Sequence, residues 1–235
     1  MVERLVMRAG IVAFGLVLAQ STLAWSQTYT FERAFPAGTA ARLDISTHRG
    51  HIVVTASDDG RIVVSGTVSV RRSGINLPLN GGELAAGVSE HPPVQMHGTT
   101  LEIRPPGDPL ADRAVTVDYD IRIPPPLPIV AVSDSGNVTI KDHAGALSVR
   151  TQSGAIDATI TETGGITLEA TSDSGAIEVD TGVVDGTVDK TRVRGTVRGG
   201  GAAWQLTTKS GAIRVRAPTQ RDAGNELDRA GRLSR

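Results

Sequence analysis

One phrase recurs four times in the second half of the chain: Ser135-Gly136-Asn137-Val138-Thr139-Ile140, Ser153-Gly154-Ala155-Ile156-Asp157-Ala158, Ser174-Gly175-Ala176-Ile177-Glu178-Val179 and Ser210-Gly211-Ala212-Ile213-Arg214-Val215. Its glycines stand 18, 21 and 36 residues apart. Weaker copies fall between them at Gly145-Ala146-Leu147-Ser148-Val149, Gly165-Ile166-Thr167-Leu168, Gly186-Thr187-Val188 and Gly195-Thr196-Val197. Each half-unit is a turn plus a strand, and two half-units make a repeat of roughly 20 residues. Glycine permits the positive φ of a tight turn at Gly136, Gly154, Gly175 and Gly211, serine bonds nearby backbone, and the residues that follow alternate in and out. One such unit cannot bury its single apolar face. Stacked in parallel, the units place Val138, Ile156 and Ile177 in one internal ladder and Leu147 and Ile166 in another.

The expected class is therefore all-β, a parallel β-solenoid or β-helix-like stack with short glycine turns. An antiparallel β-sandwich with glycine turns is the other fold that gives strands at this spacing. The 27 Gly against 3% aromatic residues fit many tight turns over a core of small aliphatics. Period-two alternation continues upstream in Arg42-Leu43-Asp44-Ile45-Ser46, in Thr100-Leu101-Glu102-Ile103-Arg104 and from Val115 to Ile123, as half-buried strands require. No window beyond the N-terminal segment has helical apolar spacing, so almost no helix is expected. Residues 73–98 and 105–112 read as surface loops, and Pro124-Pro125-Pro126 with Pro128 as an extended crossover. The chain divides into a signal peptide (1–26), an N-terminal β-strand region (27–130), the β-repeat region (131–218) and a disordered tail (219–235).

The N-terminal segment carries Glu3, Arg4 and Arg8, then an apolar stretch from Ala9 to Leu18, then small and polar residues. This is a secretory signal pattern, with small residues suited to cleavage after Ala24 or after Ser26. The apolar run is shorter than the ~20 residues a spanning helix needs, so no stable membrane span is expected after cleavage. With no Cys there is no lipoprotein anchor, disulfide, thiolate metal site or cysteine nucleophile. The mature chain is expected in the periplasm, secreted, or at the cell surface.

The Ser-Gly-x-Ile/Val units, the Thr30-Phe31-Glu32 to Phe35-Pro36-Ala37 opening and the Val117-Asp118-Tyr119-Asp120-Ile121-Arg122-Ile123-Pro124 lead-in together resemble the DUF4097-type, adhesin-like bacterial family of exported β-strand-repeat proteins. The resemblance spans residues 29–218. It implies a β-helix-like fold in the cell envelope or outside it and a role in adhesion, and it implies no catalytic residues.

The residues themselves offer little chemistry. His48 and His51, three apart on a strand, point to opposite faces, and His91, His97 and His143 read as solvated loop or turn residues, so no metal site is expected. Nucleophile elbows and His-Glu-x-x-His helices are missing, and Gly199-Gly200-Gly201 lacks the lysine and helix of a phosphate cradle. No catalytic residue and no cofactor is expected. Ser133-Asp134-Ser135-Gly136 and Ser172-Asp173-Ser174-Gly175 are ordinary turn formers. Asp157 and Glu178, if stacked as neighbours, would make the acid pair of a carbohydrate-active β-helix enzyme, and Trp204 is among the few aromatics left to stack on a sugar.

Charge is the remaining signal. Residues 133–189 hold ten acidic residues against Lys141 and Arg150, a formal −8. Residues 190–216 hold Lys190, Arg192, Arg194, Arg198, Lys209, Arg214 and Arg216 with no acid, a formal +7. On one continuous strand Lys190, Arg192, Arg194 and Arg198 form an outward basic stripe for an anionic surface polymer, a glycan or an acidic envelope protein. The same stripe could dock on the chain's own acidic coils or blunt a sheet edge. The overall net charge of −1 argues against a nucleic-acid partner. The functional expectation is adhesin-like binding or scaffolding at the bacterial envelope, with a carbohydrate-active enzyme or an envelope regulatory partner as the rival classes.

Overall fold

The computed structural model of the chain describes residues 28–71, 80–181 and 184–217. The expected signal peptide (1–26) and tail (219–235) lie outside these described residues. The first half forms β1 (Thr28–Pro36), β2 (Arg42–Arg49), β3 (Ile52–Ala56), β4 (Arg61–Val70), α1 (Gly81–Glu90), β5 (Val94–His97), β6 (Thr100–Ile103), α2 (Pro109–Ala114) and β7 (Val115–Ile123). Then come β8 (Ile129–Ser135), β9 (Val138–His143), β10 (Leu147–Ser153), β11 (Ile156–Ile160), β12 (Ile166–Ser172) and β13 (Ile177–Asp180). The last described elements are β14 (Val184–Val188), β15 (Arg192–Val197), β16 (Ala202–Ser210) and β17 (Ile213–Arg216).

The fold is all-β, in two large mixed sheets. One runs β1-β4-β7-β3-β9-β11-β17-β13 and the other β14-β15-β12-β16-β10-β8-β2-β6-β5. Six consecutive strands of each sheet follow one order once every strand is matched with its successor in the chain: β6/β7, β2/β3, β8/β9, β10/β11, β16/β17, β12/β13. Five of these pairs are rungs that run through one sheet, turn a corner and continue in the other, and β6 and β7 are joined instead through α2. Neighbouring rungs are parallel throughout. Antiparallel strands extend the two ends, β4 and β1 beyond β7, β5 beyond β6, and β15 and β14 beyond β12. The N-terminal and repeat regions are continuous in both sheets, through the β3/β9 and β2/β8 pairings.

The corners explain the repeat phrase. A Cβ on Gly136 would strike the carbonyl oxygen of Gly50, one on Gly154 that of Gly136, one on Gly211 that of Gly154, and one on Gly175 that of Gly211. Each corner backbone is stacked on the corner below, so a side chain there would push the rungs beyond the ~4.8 Å that strand pairing demands. Gly154 also has φ +156°, whereas Gly175 is not in the left-handed region and is required by the close approach alone. Three residues before each corner glycine sits a buried hydroxyl: Thr47, Ser133, Thr151, Thr208 and Ser172. Thr151 Oγ1 donates to Thr208 Oγ1 at 2.9 Å, Thr208 Oγ1 lies 3.3 Å from the Gly154 carbonyl oxygen, and Ser172 Oγ donates to the Gly211 carbonyl at 3.0 Å. These hydroxyls tie the Thr151, Thr208 and Ser172 corners to one another within an otherwise apolar interior.

Inward residues form columns across the rungs. One sheet contributes Ile52, Val138, Ile156, Ile213 and Ile177 in register, the other Leu43, Ile129, Leu147, Trp204 and Leu168, and all of them are buried. The parallel ladder expected from the repeat is present, but its order differs. Ile213 lies between Ile156 and Ile177, and Leu147 faces Trp204, with Leu168 on its far side and Ile166 opposite Ala202. Consecutive winding fails because the last rung in the chain, β16/β17, is inserted between β10/β11 and β12/β13. At the other end β2/β3 is likewise inserted between β6/β7 and β8/β9.

Two helices lie where loops were expected. α1 occupies part of 73–98 despite three glycines, because Gly81, Ala85 and Val88 recur at one-turn spacing as its buried face and the helix packs on β1 and β4. Ser89 Oγ donates to the Thr30 carbonyl at 2.7 Å and fixes its end. α2 begins at Pro109 behind Asp108, whose carboxylate accepts from the Leu110 amide at 2.8 Å, a standard helix start. The Pro-rich segment carries the chain from β7 in one sheet to β8 in the other, but through a turn closed by Leu127 N donating to the Pro124 carbonyl at 3.1 Å, not as a fully extended crossover, and the Pro128 carbonyl accepts from Leu43 N. Among the described residues no helix is long and apolar enough to cross a membrane.

Gly154→Ala is expected to cost about 1–3 kcal/mol through the displaced corner. Gly38→Ala, where an added Cβ meets nothing within 4 Å, should change stability by less than about 0.5 kcal/mol. Urea unfolding midpoints of the two variants against the parent check both.

Candidate binding surface

β15 pairs antiparallel with β12 on one side and β14 on the other, and its period-two pattern buries Val193 and Val197 while Arg192 and Arg194 point outward. The other two members of the expected stripe do not continue it. Lys190 precedes the strand in a bend, where its backbone carbonyl accepts from Ile177 N at 2.9 Å and closes part of the β13 edge. Arg198 follows the strand at φ +53°, and its guanidinium donates to the carbonyl oxygens of Thr161 (3.0 Å) and Glu162 (2.5 Å). Arg194 reaches Glu169 of β12 at 3.7 Å. Lys190 and Arg192 remain as exposed cations whose side chains have no partner among the described residues.

Of the rest of the basic segment, Arg214 and Arg216 meet the chain's own acidic coils, whereas Lys209 is exposed with no ion pair among the described residues. Arg214 Nε donates to Glu178 at 3.0 Å, and Arg216 pairs with Asp157 at 3.3 Å. This corrects the Asp157–Glu178 acid pair, because the inserted rung puts Arg214 between them: Asp157 faces Arg214 on one side of β17 and Glu178 faces it on the other. Trp204 is likewise no sugar platform. It is fully buried, with its indole N–H donating to the Gly145 carbonyl at 3.0 Å.

The histidines separate by environment. His48 Nδ1 lies 3.0 Å from both Asp112 carboxylate oxygens, and its Nε2 is 3.8 Å from Asp134, at a small cleft lined by Thr47, Arg49 and Tyr119. His51 Nδ1 accepts from the Asn137 amide at 3.3 Å. Sequence reading missed the His48–Asp112 contact, since 64 residues separate the two and no local pattern joins them. No group of three or more His, Asp or Glu side chains among the described residues converges as a metal site would require. A wider groove of about 240 Å³ runs between α1 and α2, lined by Leu84, Val88, His91, Pro93, Pro106 and Ala111.

His143, expected as a solvated turn residue, is buried against Trp204 with ring centroids 6.2 Å apart. Its Nε2 lies 3.4 Å from the Ala146 carbonyl and its Nδ1 has no partner. Burial disfavours the imidazolium and pushes the pKa down to about 4, against the small opposing pull of the Ala146 carbonyl. Burial also raises the Tyr119 phenol well above its ordinary value.

No family model matches the chain, so the resemblance to the DUF4097-type family stands on its motifs alone. No curated protein matches it either. Among solved structures it is similar to a putative cell adhesion protein from Clostridium sporogenes, at 9% identity and a TM-score of 0.48, over 82% of this chain and 100% of that one. It is also similar to a putative adhesin from Bacteroides fragilis, at 12% identity and a TM-score of 0.25, over 79% of this chain and 96% of that one. Both likenesses are loose.

The unfolded chain protonates His143 near pH 6.5 and the folded chain only near 4, so stability is full above pH 6.5 and falls as the pH drops through this window, by up to about 3 kcal/mol. Thermal unfolding of the parent and of His143→Gln between pH 7 and pH 4 should show this loss in the parent and a shallower decline in the variant. Parallel declines would mean that other groups carry the acid sensitivity.

Proposed function

We propose that this chain is an exported, non-catalytic binding or scaffolding protein of the bacterial cell envelope, adhesin-like in role, whose ligand is an anionic surface polymer, a glycan or an envelope protein. The observation that carries this reading is the rung stack itself. Parallel rungs repeat outward-facing side chains at about 4.8 Å across two broad faces, a geometry suited to holding an extended or repetitive partner. The pattern of polar groups agrees with it. Outward carboxylates are matched to arginines one strand away, in Asp157/Arg216, Glu178/Arg214 and Glu169/Arg194, which makes a rigid charged relief instead of a concave centre of unpaired acids. Lys190 and Arg192, exposed and unpartnered at the β15 end, are the cations available to an anionic ligand.

Mature protein should be probed on a glycan array and with purified lipopolysaccharide and teichoic acid, beside Lys190→Ser/Arg192→Ser, at low and high salt. Retention of one anionic polymer by the parent, weakened several-fold in the double variant and by salt, is the expected result. Release of soluble saccharide by the parent, abolished in Asp157→Asn or Glu178→Gln, would replace the reading with an enzymatic one.

A further inference from the structure

The rung that completes the stack comes later in the chain than both of its neighbours. β16/β17 lies between β10/β11 and β12/β13, parallel to both, and its four large apolar residues Trp204, Leu206, Ile213 and Val215 are fully buried between those walls. The walls are complete before this segment exists in the chain, so they frame a slot of one rung's width. Both walls hydrogen-bond the rung: Gly154 N donates to the Ser210 carbonyl and Ile156 N to the Ala212 carbonyl, while on the far side Asp173 N and Ser174 N donate to Thr208 and Lys209. Its charge is complementary as well, with Arg214 and Arg216 on the rung against Glu178 and Asp157 on the walls. Closing the slot without the rung would place Asp157 beside Glu178, so the empty slot does not simply zip shut.

The rung enters through a narrow connection. β15 lies on one side of β12 and β16 on the other, with Val197 and Ala202 both opposite Ile166, and the chain crosses at Arg198-Gly199-Gly200-Gly201. Gly199 and Gly200 are both left-handed, and the crossing packs so closely on Gly165 that a Cβ there would meet the carbonyl oxygens of Gly200 and Arg198. The gap is two strand spacings, about 9.6 Å.

From these observations we infer that the slot between β10/β11 and β12/β13 is an acceptor site for the β16/β17 rung of a second copy of this chain, so that two copies can exchange C-terminal rungs through an opened Arg198–Gly201 hinge. Every contact inside the slot is the same whether the rung arrives in cis or in trans. The apolar columns supply the affinity and the Arg–carboxylate pairs the register and choice of partner. In the intact monomer the short hinge gives the chain's own rung a local concentration of roughly millimolar or more, so exchange is confined to refolding at high concentration or to chains whose hinge cannot cross β12. This inference does not depend on the proposed envelope role.

The test uses the full mature chain with Trp25→Phe, which leaves Trp204 as its sole indole. Deletion of Gly199, Gly200 and Gly201 leaves one residue in the hinge, with a reach of at most about 7.6 Å, too short for the crossing. Light scattering after size exclusion should report a dimer, with Trp204 emission as blue as in the uncut parent. Independently, Arg214→Glu/Arg216→Glu and Asp157→Arg/Glu178→Arg chains, each mismatched within itself, should form a mixed dimer when refolded together. All four substitutions in one chain should restore a monomer with a near-parental unfolding midpoint. Formation of either dimer with Trp204 buried supports rung exchange. Absence of both overturns it: exposed Trp204 and no dimer in the deletion variant, and no mixed species from the charge-reversed pair.

Discussion

The whole stack depends on backbone stacking on backbone at its corners. Where Gly50, Gly136, Gly154, Gly211 and Gly175 follow one another, each carbonyl oxygen occupies the space a neighbouring side chain would need. Rung spacing is thereby set by peptide contact and hydrogen bonding, and the side chains inherit it. Columns of Ile, Val and Leu then fall into register without needing matched shapes, which is how a chain with 3% aromatic residues still builds a continuous core. Trp204, the largest side chain in that core, sits in the inserted rung, where a small residue would leave the widest gap between the two walls.

The local grammar of this fold is visible in the amino acids, and its assembly order is not. The turn glycines, the alternation of the strands and the crossover at Pro124-Pro125-Pro126 all depend on near neighbours, so they could be read directly. A fuller signature was also on view: the Ser/Thr-x-x-Gly spacing of Thr47/Gly50, Ser133/Gly136, Thr151/Gly154, Ser172/Gly175 and Thr208/Gly211 marks a buried hydroxyl at each corner and extends the repeat into the N-terminal region. Rung order, by contrast, depends on which of several similar edges a strand meets. Nothing in the β16 sequence by itself distinguishes a place beyond β12 from a place beside it. The one long-range clue was electrostatic, the acidic run followed by the basic run, and it points inward more than outward, since Arg194, Arg214 and Arg216 each face a carboxylate of an earlier coil.

The helices illustrate the opposite failure. α1 has weak intrinsic propensity and is held by its packing on β1, β4 and α2, so tertiary burial overrides a glycine-rich composition. For α2 the Asp108-Pro109 start was legible, and the segment's brevity hid it. Of the candidate surface, the alternation of Arg192 and Arg194 was readable. The separate engagement of Arg198 with two carbonyls was not, because it depends on the chain crossing over β12.

The placement of the last rung also bears on how such a protein can change over evolutionary time. Repeat arrays ordinarily lengthen by tandem duplication, a new unit being added where the old series stopped. Here the last described strand pair, β16/β17, lies in the interior, and the outer positions belong mostly to strands that leave the parallel pattern, β1 and β4 in one sheet and β5, β14 and β15 in the other, with β13 the one parallel strand at an edge. A duplicated copy of the β16/β17 unit would find both neighbours of that rung already paired, and the β13 edge offers a parallel partner in one sheet only. Lengthening this stack thus demands a change of strand order, and diversification falls more readily on the outward-facing residues and on the loops at the two ends.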